Sequence, residues 1–394
     1  MNDFHSLSAA GFAATAISYG PGRMGFGLFV PELRTAFDMS TSAVGYISSL
    51  GFLGFFLALL IAQPLLTRRG PEFPVISGLL SATVGMATVA AAPNLAVLAV
   101  GVFFTASSAG FAWTPFNDAV HRKIREVDRP LALSEISTGT SLGIFGAGFA
   151  ALAMVYAGLS WRMCWAFFAT AAALALFANW FALRHVEKDD REMPPGAWRE
   201  MLRVAALPLF VIAFVYGTVS AIYISFAGDH FVDSGGLPGI PVQATPAVVF
   251  MVYGACGLAG LLTGRLKRAI GLAWLLRLLM LSAAVSVSLV VLFPGSWAGL
   301  GVSAGLQGVH VMMTSAVLAF WSEKLFPGFP SLSFTSALLA TAAGSVLGPS
   351  LAGLASDVFG DWTMFLGTAA LPALTALAVR SRFAGEEPVR PEAA

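Results

Sequence analysis

The chain has 394 residues, of which 57% are hydrophobic and only 11% are charged, and its formal net charge is +1. Soluble domains carry about 25% charged residues, so this composition excludes a soluble globular protein and indicates a membrane protein with many spans. The small net charge gives no indication of nucleic-acid binding. Cys164 and Cys256 lie in apolar stretches and form neither a metal-ligand spacing nor a disulfide framework. We therefore expect no metal, no cofactor and no nucleic-acid partner.

Twelve apolar stretches are long enough to cross a bilayer, because a spanning helix needs ~20 mainly apolar residues. The predicted spans are 8–31, 42–66, 73–92, 95–117, 132–156, 161–183, 205–228, 244–264, 270–293, 297–319, 331–355 and 362–380. The most charged connection divides the first six spans from the last six. The sequence therefore predicts an all-α membrane protein with an N-terminal bundle (1–184), a cytoplasmic linker (185–204) and a C-terminal bundle (205–394).

The first span contains the sequence Gly20-Pro21-Gly22-Arg23 near its middle. Proline lacks a backbone N–H and clashes with the carbonyl four residues earlier, so we predict that the helix breaks here, with Gly20, Pro21 and Gly22 as a hinge. Arg23 would then begin a second half-helix, whose free N–H groups and positive dipole end add to its charge. This arrangement predicts a binding site for a carboxylate or a similar anion.

The alternative for this segment is a packing kink in which Arg23 pairs with a protein group. An unpaired arginine at the centre of a bilayer costs roughly 2.5–3.5 kcal/mol on insertion scales, so it calls for an explanation. No Asp or Glu lies at mid-membrane depth in any predicted span. Asp118 and Asp229, closer to the surfaces, are the carboxylates that could still pair with it.

The lysines and arginines predict the orientation, because cytoplasmic loops are enriched in them. With both termini in the cytoplasm, 19 of the 22 basic residues fall on the cytoplasmic side. Arg34 and Arg162 fall outside, and Arg23 lies within the membrane. We therefore expect a multi-pass protein of the cell inner membrane.

Two sequence features indicate a repeated architecture. Residues 143–153 of span five match residues 345–355 of span eleven, and each segment is followed by a glycine and a tryptophan. The loop after span two, 63–72, is similar to the pattern Gly-x-Leu-x-Asp-Arg-x-Gly-Arg-Arg, with Arg68 and Gly70 retained and Thr67 at the acidic position. With its 6+6 division, the chain resembles the major facilitator superfamily of secondary transporters.

This resemblance implies two six-helix bundles that rock to expose a central cavity alternately to the two sides of the membrane. Spans one, four, seven and ten would line that cavity. Glycines in spans five and eleven would let helices slide past each other at close range. Span five lacks the proline of the family's antiporter motif, whereas span eleven keeps Gly344, Gly348, Pro349 and Gly353.

Several side chains are candidates for the cavity of such a protein. Tyr19, Trp113, Tyr216 and Gln307 are expected to shape it. His310, three residues after Gln307 and on the same helix face, is a candidate proton carrier because the unperturbed pKa of histidine is ~6.5. The alternative is a neutral histidine bonded to a backbone carbonyl.

Asp229 is a second candidate for proton coupling or for a gate, and its alternative is a solvated helix end. The hydroxyl-bearing residues of span four, such as Thr105, are expected to serve helix packing.

We therefore expect a monomeric secondary transporter, a symporter or an antiporter, for a small organic anion with coupling to protons. A proton-driven exporter of drugs or metabolites is the alternative, with Arg23 in a structural role. A membrane-embedded enzyme or a sensor is a further alternative, but the sequence contains neither a phosphate-binding loop nor a metalloprotease motif.

Overall fold

The computed structural model describes residues 3–184, 206–326 and 330–379, and the regular structure within these ranges is helical. The first helices are α1 (Asp3–Ile17), α2 (Gly25–Leu28), α3 (Val30–Phe37), α4 (Thr41–Arg69), α5 (Glu72–Ala91), α6 (Leu95–Ser107), α7 (Trp113–Lys123), α8 (Arg129–Tyr156) and α9 (Trp161–Leu183). The later helices are α10 (Leu207–Asp233), α11 (Thr245–Gly257), α12 (Thr263–Ile270), α13 (Leu272–Leu292), α14 (Trp297–Leu325) and α15 (Pro330–Ala378). The predicted linker, 185–204, lies outside the described residues.

In the described part of the chain, ten helical segments are long and apolar enough to cross a membrane. Their bounds agree with the predicted spans to within a few residues for most of the chain. The run from α1 to α3 is interrupted, and α15 contains two helices joined at a kink at Gly360. The structure therefore confirms a helical, multi-pass membrane protein, and the count of twelve spans stays a prediction.

Polar side chains begin several of these helices. The Ser40 hydroxyl accepts a hydrogen bond from the Ala43 N–H, and the Asn94 side chain accepts one from the Val97 N–H. Such caps satisfy donors that the first turn of a helix leaves free. The loop sequences therefore determine where these helices start.

Four glycines with positive φ form two related pairs. Gly70 and Gly271 both have φ of 79°, and each lies between a helix with basic residues in its last turn and the next helix. Gly158 (φ 66°) and Gly360 (φ 81°) follow the two matching segments found in the sequence. Within each pair the members are about two hundred residues apart, the same spacing as the sequence repeat.

Glycines also allow two very close helix contacts between distant parts of the chain. A Cβ atom on Gly254 of α11 would lie 2.5 Å from the Phe145 backbone nitrogen of α8. A Cβ atom on Gly45 of α4 would clash with the Pro349 carbonyl oxygen of α15. We call these contacts the α8–α11 seam and the α4–α15 seam. The close approach expected of glycines in spans five and eleven is present: Gly148 lies in the first seam, and Gly353 lies in the second.

Candidate functional site

The chain does not break at Pro21. Ser18–Met24 forms a π-helical segment that continues α1 into α2. A π-helix bonds each N–H to the carbonyl five residues earlier, and this wider turn accommodates the proline. The predicted half-helix start at Arg23 is therefore wrong, because the backbone before Arg23 stays helical. The first departure from helical geometry comes at Phe29, between α2 and α3.

The glycines beside Pro21 allow close packing. A Cβ atom on Gly20 would clash with the Gly143 carbonyl oxygen of α8, and one on Gly22 would lie 2.9 Å from the Ser108 hydroxyl. Larger residues would push the π-helical segment away from its neighbours. The segment is thus enclosed on two sides, and its role as a hinge stays a prediction.

Arg23 has aromatic neighbours. Its guanidinium carbon lies 4.7 Å from the centre of the Phe55 ring and 5.6 Å from the centre of the Phe52 ring. Among the described residues, no carboxylate lies within the 4.0 Å limit of an ion pair to Arg23, and its buried Nε has no hydrogen-bond partner. The positive charge of Arg23 is therefore not neutralised by a protein group in the described part of the chain.

The two carboxylates considered as partners for Arg23 are used elsewhere. Asp118 pairs with Arg122 on α7, and Asp229 on α10 pairs with Arg34 on α3. Neither Asp118 nor Asp229 is therefore an ion-pair partner of Arg23 in this conformation.

Arg23 borders a small internal cavity. The cavity is lined by Gly22, Arg23, Phe26, Gly27, Ser48, Gly51, Phe52, Val102, Thr105, Ala106, Trp165, Ile224 and Ser225. It has room for about one water molecule, and its lining contains no carboxylate. An organic solute would therefore require the surrounding helices to separate.

Of the site residues predicted from the sequence, only Gly22 and Arg23 line this cavity. Tyr19 packs against a buried cluster whose members include Phe55 of α4 and Leu338 of α15. Trp113 does not line the cavity and instead packs against the cluster that contains Phe116. Tyr216 donates a hydrogen bond to the Val311 carbonyl oxygen at 3.2 Å.

His310 and Gln307 are both buried polar residues on α14. The Nδ1 atom of His310 lies 2.9 Å from the Leu279 carbonyl oxygen, so Nδ1 carries the proton in this contact. The edge of the imidazole ring meets Tyr216 at a centroid distance of 5.5 Å. The Nε2 atom of His310 and both amide atoms of Gln307 are buried without a hydrogen-bond partner. The backbone contact expected of a structural histidine is present, and a free proton-accepting nitrogen accompanies it.

Asp229 belongs to a charged cluster rather than to a solvated helix end. Its side chain is only 7% exposed, and Arg34 contacts both Asp229 and Asp233. Beside it, the Nδ1 atom of His230 lies 2.9 Å from the Asp361 carboxylate. We call this group the Arg34 cluster; it joins α3, α10 and α15.

Comparisons with known proteins agree with this helical arrangement. The sequence profile of the Major Facilitator Superfamily matches residues 12–323. The chain belongs to the Major Facilitator Superfamily. No curated protein sequence matches it.

Solved structures of transporters share the fold of this superfamily member. The nucleoside transporter NupG has a TM-score of 0.73 at 13% identity, covering 98% of this chain and 100% of that chain. A bacterial homologue of the human lysosomal transporter Spinster has a TM-score of 0.73 at 16% identity, covering 99% and 98%. A POT family transporter in complex with 5-aminolevulinic acid has a TM-score of 0.75 at 13% identity, covering 95% of both chains. Membership of this superfamily indicates a transporter rather than an enzyme.

Reasoning from the sequence missed several residues of this superfamily member's site. Phe52 and Phe55 look like ordinary apolar residues of a membrane span, and Arg34 looks like a loop residue. The Arg34 partners lie 195 and 199 residues away in the sequence. No local pattern signals contacts of this kind, because they exist only after distant helices have packed.

Proposed function

We propose that the protein is a secondary active transporter of a small organic anion, which binds at Arg23. The observation that carries this proposal is the Arg23 guanidinium beside an internal cavity, with no carboxylate partner among the described residues. A charge in a water-poor site is costly unless it is compensated. A substrate carboxylate would compensate it with two parallel charge-assisted hydrogen bonds.

The transporter consists of two six-helix bundles, 1–184 and 205–394, with twelve spans in total. The helices α1 to α3, which are interrupted at Phe29, supply the first span. The two parts of α15, which meet at Gly360, supply the last two spans. The repeat spacing relates α4 to α11 and α8 to the first part of α15. Exchanging the two bundles would therefore interchange the α4–α15 seam and the α8–α11 seam, as expected for repeats about an axis along the membrane normal.

The substrate site lies between two closures in this conformation. The Arg34 cluster joins α3 to α10 and α15 at one end, and the cluster of Phe55, Leu59 and Leu338 joins α4 to α15 towards the other. The distribution of lysine and arginine favours placing the Arg34 cluster on the outer side of the inner membrane. It favours placing both termini in the cytoplasm. Opening either closure while the other holds would give alternating access.

His310 couples this transport to protons. Its Nε2 atom is buried and unpartnered, so it can accept a proton when water or substrate reaches it. Asp229 is the second candidate, because protonation of its carboxylate would weaken its ion pair with Arg34. Gln307, Tyr216 and Tyr19 would line the site once the surrounding helices separate.

A proton-driven exporter is the second candidate function. The apolar side chains of the cavity lining, such as Phe26, Val102 and Ile224, favour a solute with a substantial apolar part. Import and export use the same binding site in alternating access, so both fit an amphipathic carboxylate.

The binding proposal is tested by thermal unfolding of the purified protein with six carboxylates and their amides. The acids are formate, acetate, lactate, succinate, benzoate and indole-3-acetate. We expect at least one acid to raise the unfolding temperature, because a ligand that binds only the folded state stabilises it. Its amide should have little effect, since it carries no charge to pair with Arg23.

Three variants locate the binding site. Arg23→Ala should abolish the stabilisation by the acid, and Arg23→Lys should weaken it because lysine lacks the planar fork that binds both carboxylate oxygens. Arg184→Ala is the control, since it removes an exposed arginine that lies 5.2 Å from the Phe181 ring. Equal stabilisation of wild type and Arg23→Ala, or no stabilisation by any acid, would contradict the proposal.

A further inference from the structure

We propose that Ser48 and Trp165 bind the same anion as Arg23, so that three hydrogen-bond donors select an ionised carboxylate over neutral polar solutes. This inference rests on the proposed function and adds two specificity-determining residues to it. The three donors come from different parts of the fold: the π-helical segment, α4 and α9.

Trp165 is the clearest of the added residues. Its side chain is fully buried, lines the cavity and packs against Phe29, with ring centres 5.9 Å apart. The indole Nε1 has no hydrogen-bond partner. An indole nitrogen can only donate, and a buried donor without an acceptor costs about 1–3 kcal/mol relative to its paired state. The sequence therefore retains a buried donor at the cavity without a protein group to receive it.

Ser48 presents the same feature from another wall of the cavity. It lies on α4, one turn before Phe52, and is 4% exposed. Its hydroxyl has no partner, although serines in helices commonly bond to the carbonyl four residues earlier, as Ser225 does to Ala221 at 2.7 Å. The Ser48 hydroxyl is therefore free to donate to a ligand.

The other residues that line the cavity add no charged acceptor for these donors. The Thr105 hydroxyl is also unpartnered, but it lies towards α5, since it would be 2.5 Å from a Cβ atom on Gly85. No side chain of the lining has a carboxylate or an amide oxygen. Arg23 Nε and Trp165 Nε1 can only donate, so the complementary ligand group is one that only accepts. An ionised carboxylate meets this condition, whereas an amide brings donors of its own.

The chain offers a matched control for each residue. Trp321 is also buried with an unpartnered indole nitrogen, and Ser8 is also buried with an unpartnered hydroxyl. Neither residue lines the cavity. If unpartnered donors merely reflected imperfect packing, Trp165 and Trp321 would behave alike, and so would Ser48 and Ser8.

The experiment uses the acid of the panel that stabilises the wild type most. Its dissociation constant is measured for Trp165→Phe, Ser48→Ala, Trp321→Phe and Ser8→Ala. We expect Trp165→Phe and Ser48→Ala each to bind it about 10-fold to 100-fold more weakly, the usual range for losing one hydrogen bond to a charged group. The two control variants should bind it within about threefold of wild type. Phenylalanine keeps most of the aromatic packing, and the thermal unfolding of each variant without ligand verifies that it folds.

The outcomes separate this inference from the proposed function. If Arg23→Ala loses binding while Trp165→Phe and Ser48→Ala match their controls, the inference is overturned and the proposed function stands. If Arg23→Ala binds like wild type, both fail. If an acid and its amide lose affinity equally in Trp165→Phe, the indole serves packing rather than selection, and the inference also fails.

Discussion

At the scale of single residues, the proposed function depends on polar groups that lack partners among the described residues. Arg23 is stabilised in part by the Phe55 and Phe52 rings, and such cation–π contacts contribute roughly 0.5–2 kcal/mol. Each contact is therefore worth less than the insertion cost of an arginine at the centre of a bilayer, roughly 2.5–3.5 kcal/mol. The rings therefore offset only part of the cost of the unpaired charge. An anion bound at Arg23 would stabilise that charge further.

His310 allows a test of proton coupling at this scale. His310→Asn places an amide N–H near the position of Nδ1, where it can still donate to the Leu279 carbonyl, but it cannot titrate. We expect proteoliposomes with this variant to exchange labelled substrate across the membrane and to lose accumulation driven by a pH gradient. Uptake is measured with and without the gradient.

Asp229→Asn is the companion variant in that assay. Loss of gradient-driven accumulation in Asp229→Asn, with normal accumulation in His310→Asn, would assign the proton to the Arg34 cluster instead. Normal accumulation in both variants would contradict proton coupling at either site.

The sequence predicted Arg23 itself, because an arginine within an apolar span is visible without a structure. It also predicted the backbone bond of His310 as one of two alternatives. It did not reveal Ser48 or Trp165, since whether a buried donor has a partner depends on contacts between helices that are far apart in the sequence.

At the scale of helices, apolar length predicted the spans closely, and local geometry was harder to predict. The proline at position 21 was expected to break the helix, but a π-helical turn accommodates it. The glycine-rich stretch of α8 was expected to allow close contact, and the α8–α11 seam shows which glycines do so. Gly146 lies in the same stretch, but a Cβ atom added there would have no other atom within 4 Å, whereas Gly254 faces backbone atoms of α8.

This difference gives a matched pair of substitutions. In Gly254→Ala, the added methyl group would meet the Phe145 nitrogen and the Ser141 carbonyl oxygen at 2.5 and 2.6 Å. Overpacking of this kind typically costs about 1–3 kcal/mol, so we expect a lower unfolding temperature and slower transport. Gly146→Ala should unfold at or slightly above the wild-type temperature, since alanine favours helix by about 1 kcal/mol over glycine. Equal unfolding temperatures for the two variants, measured by scanning fluorimetry, would contradict the close contact.

At the scale of the whole molecule, the described helices pack closely at two glycine seams, and the proposed transporter is closed on both sides of the cavity beside Arg23. The cavity holds about one water molecule, so the structure represents a compact state that must open to admit an organic solute. The repeat in the sequence indicated the overall architecture, because paired glycines with the same backbone geometry recur about two hundred residues apart. The sequence indicated Asp229 as a candidate gate, but its partners in the Arg34 cluster were not predictable, since the cluster joins three separate helices.

The central claim is that Arg23 binds the anion that the protein transports. Its most direct test is the initial rate of uptake, into proteoliposomes with equal amounts of protein, of the radiolabelled acid that binds best. We expect Arg23→Ala to be at least about 10-fold slower than wild type, since it loses hydrogen bonds to a charged group, and Arg184→Ala to remain within about twofold. Uptake by Arg23→Ala at the wild-type rate would contradict the account.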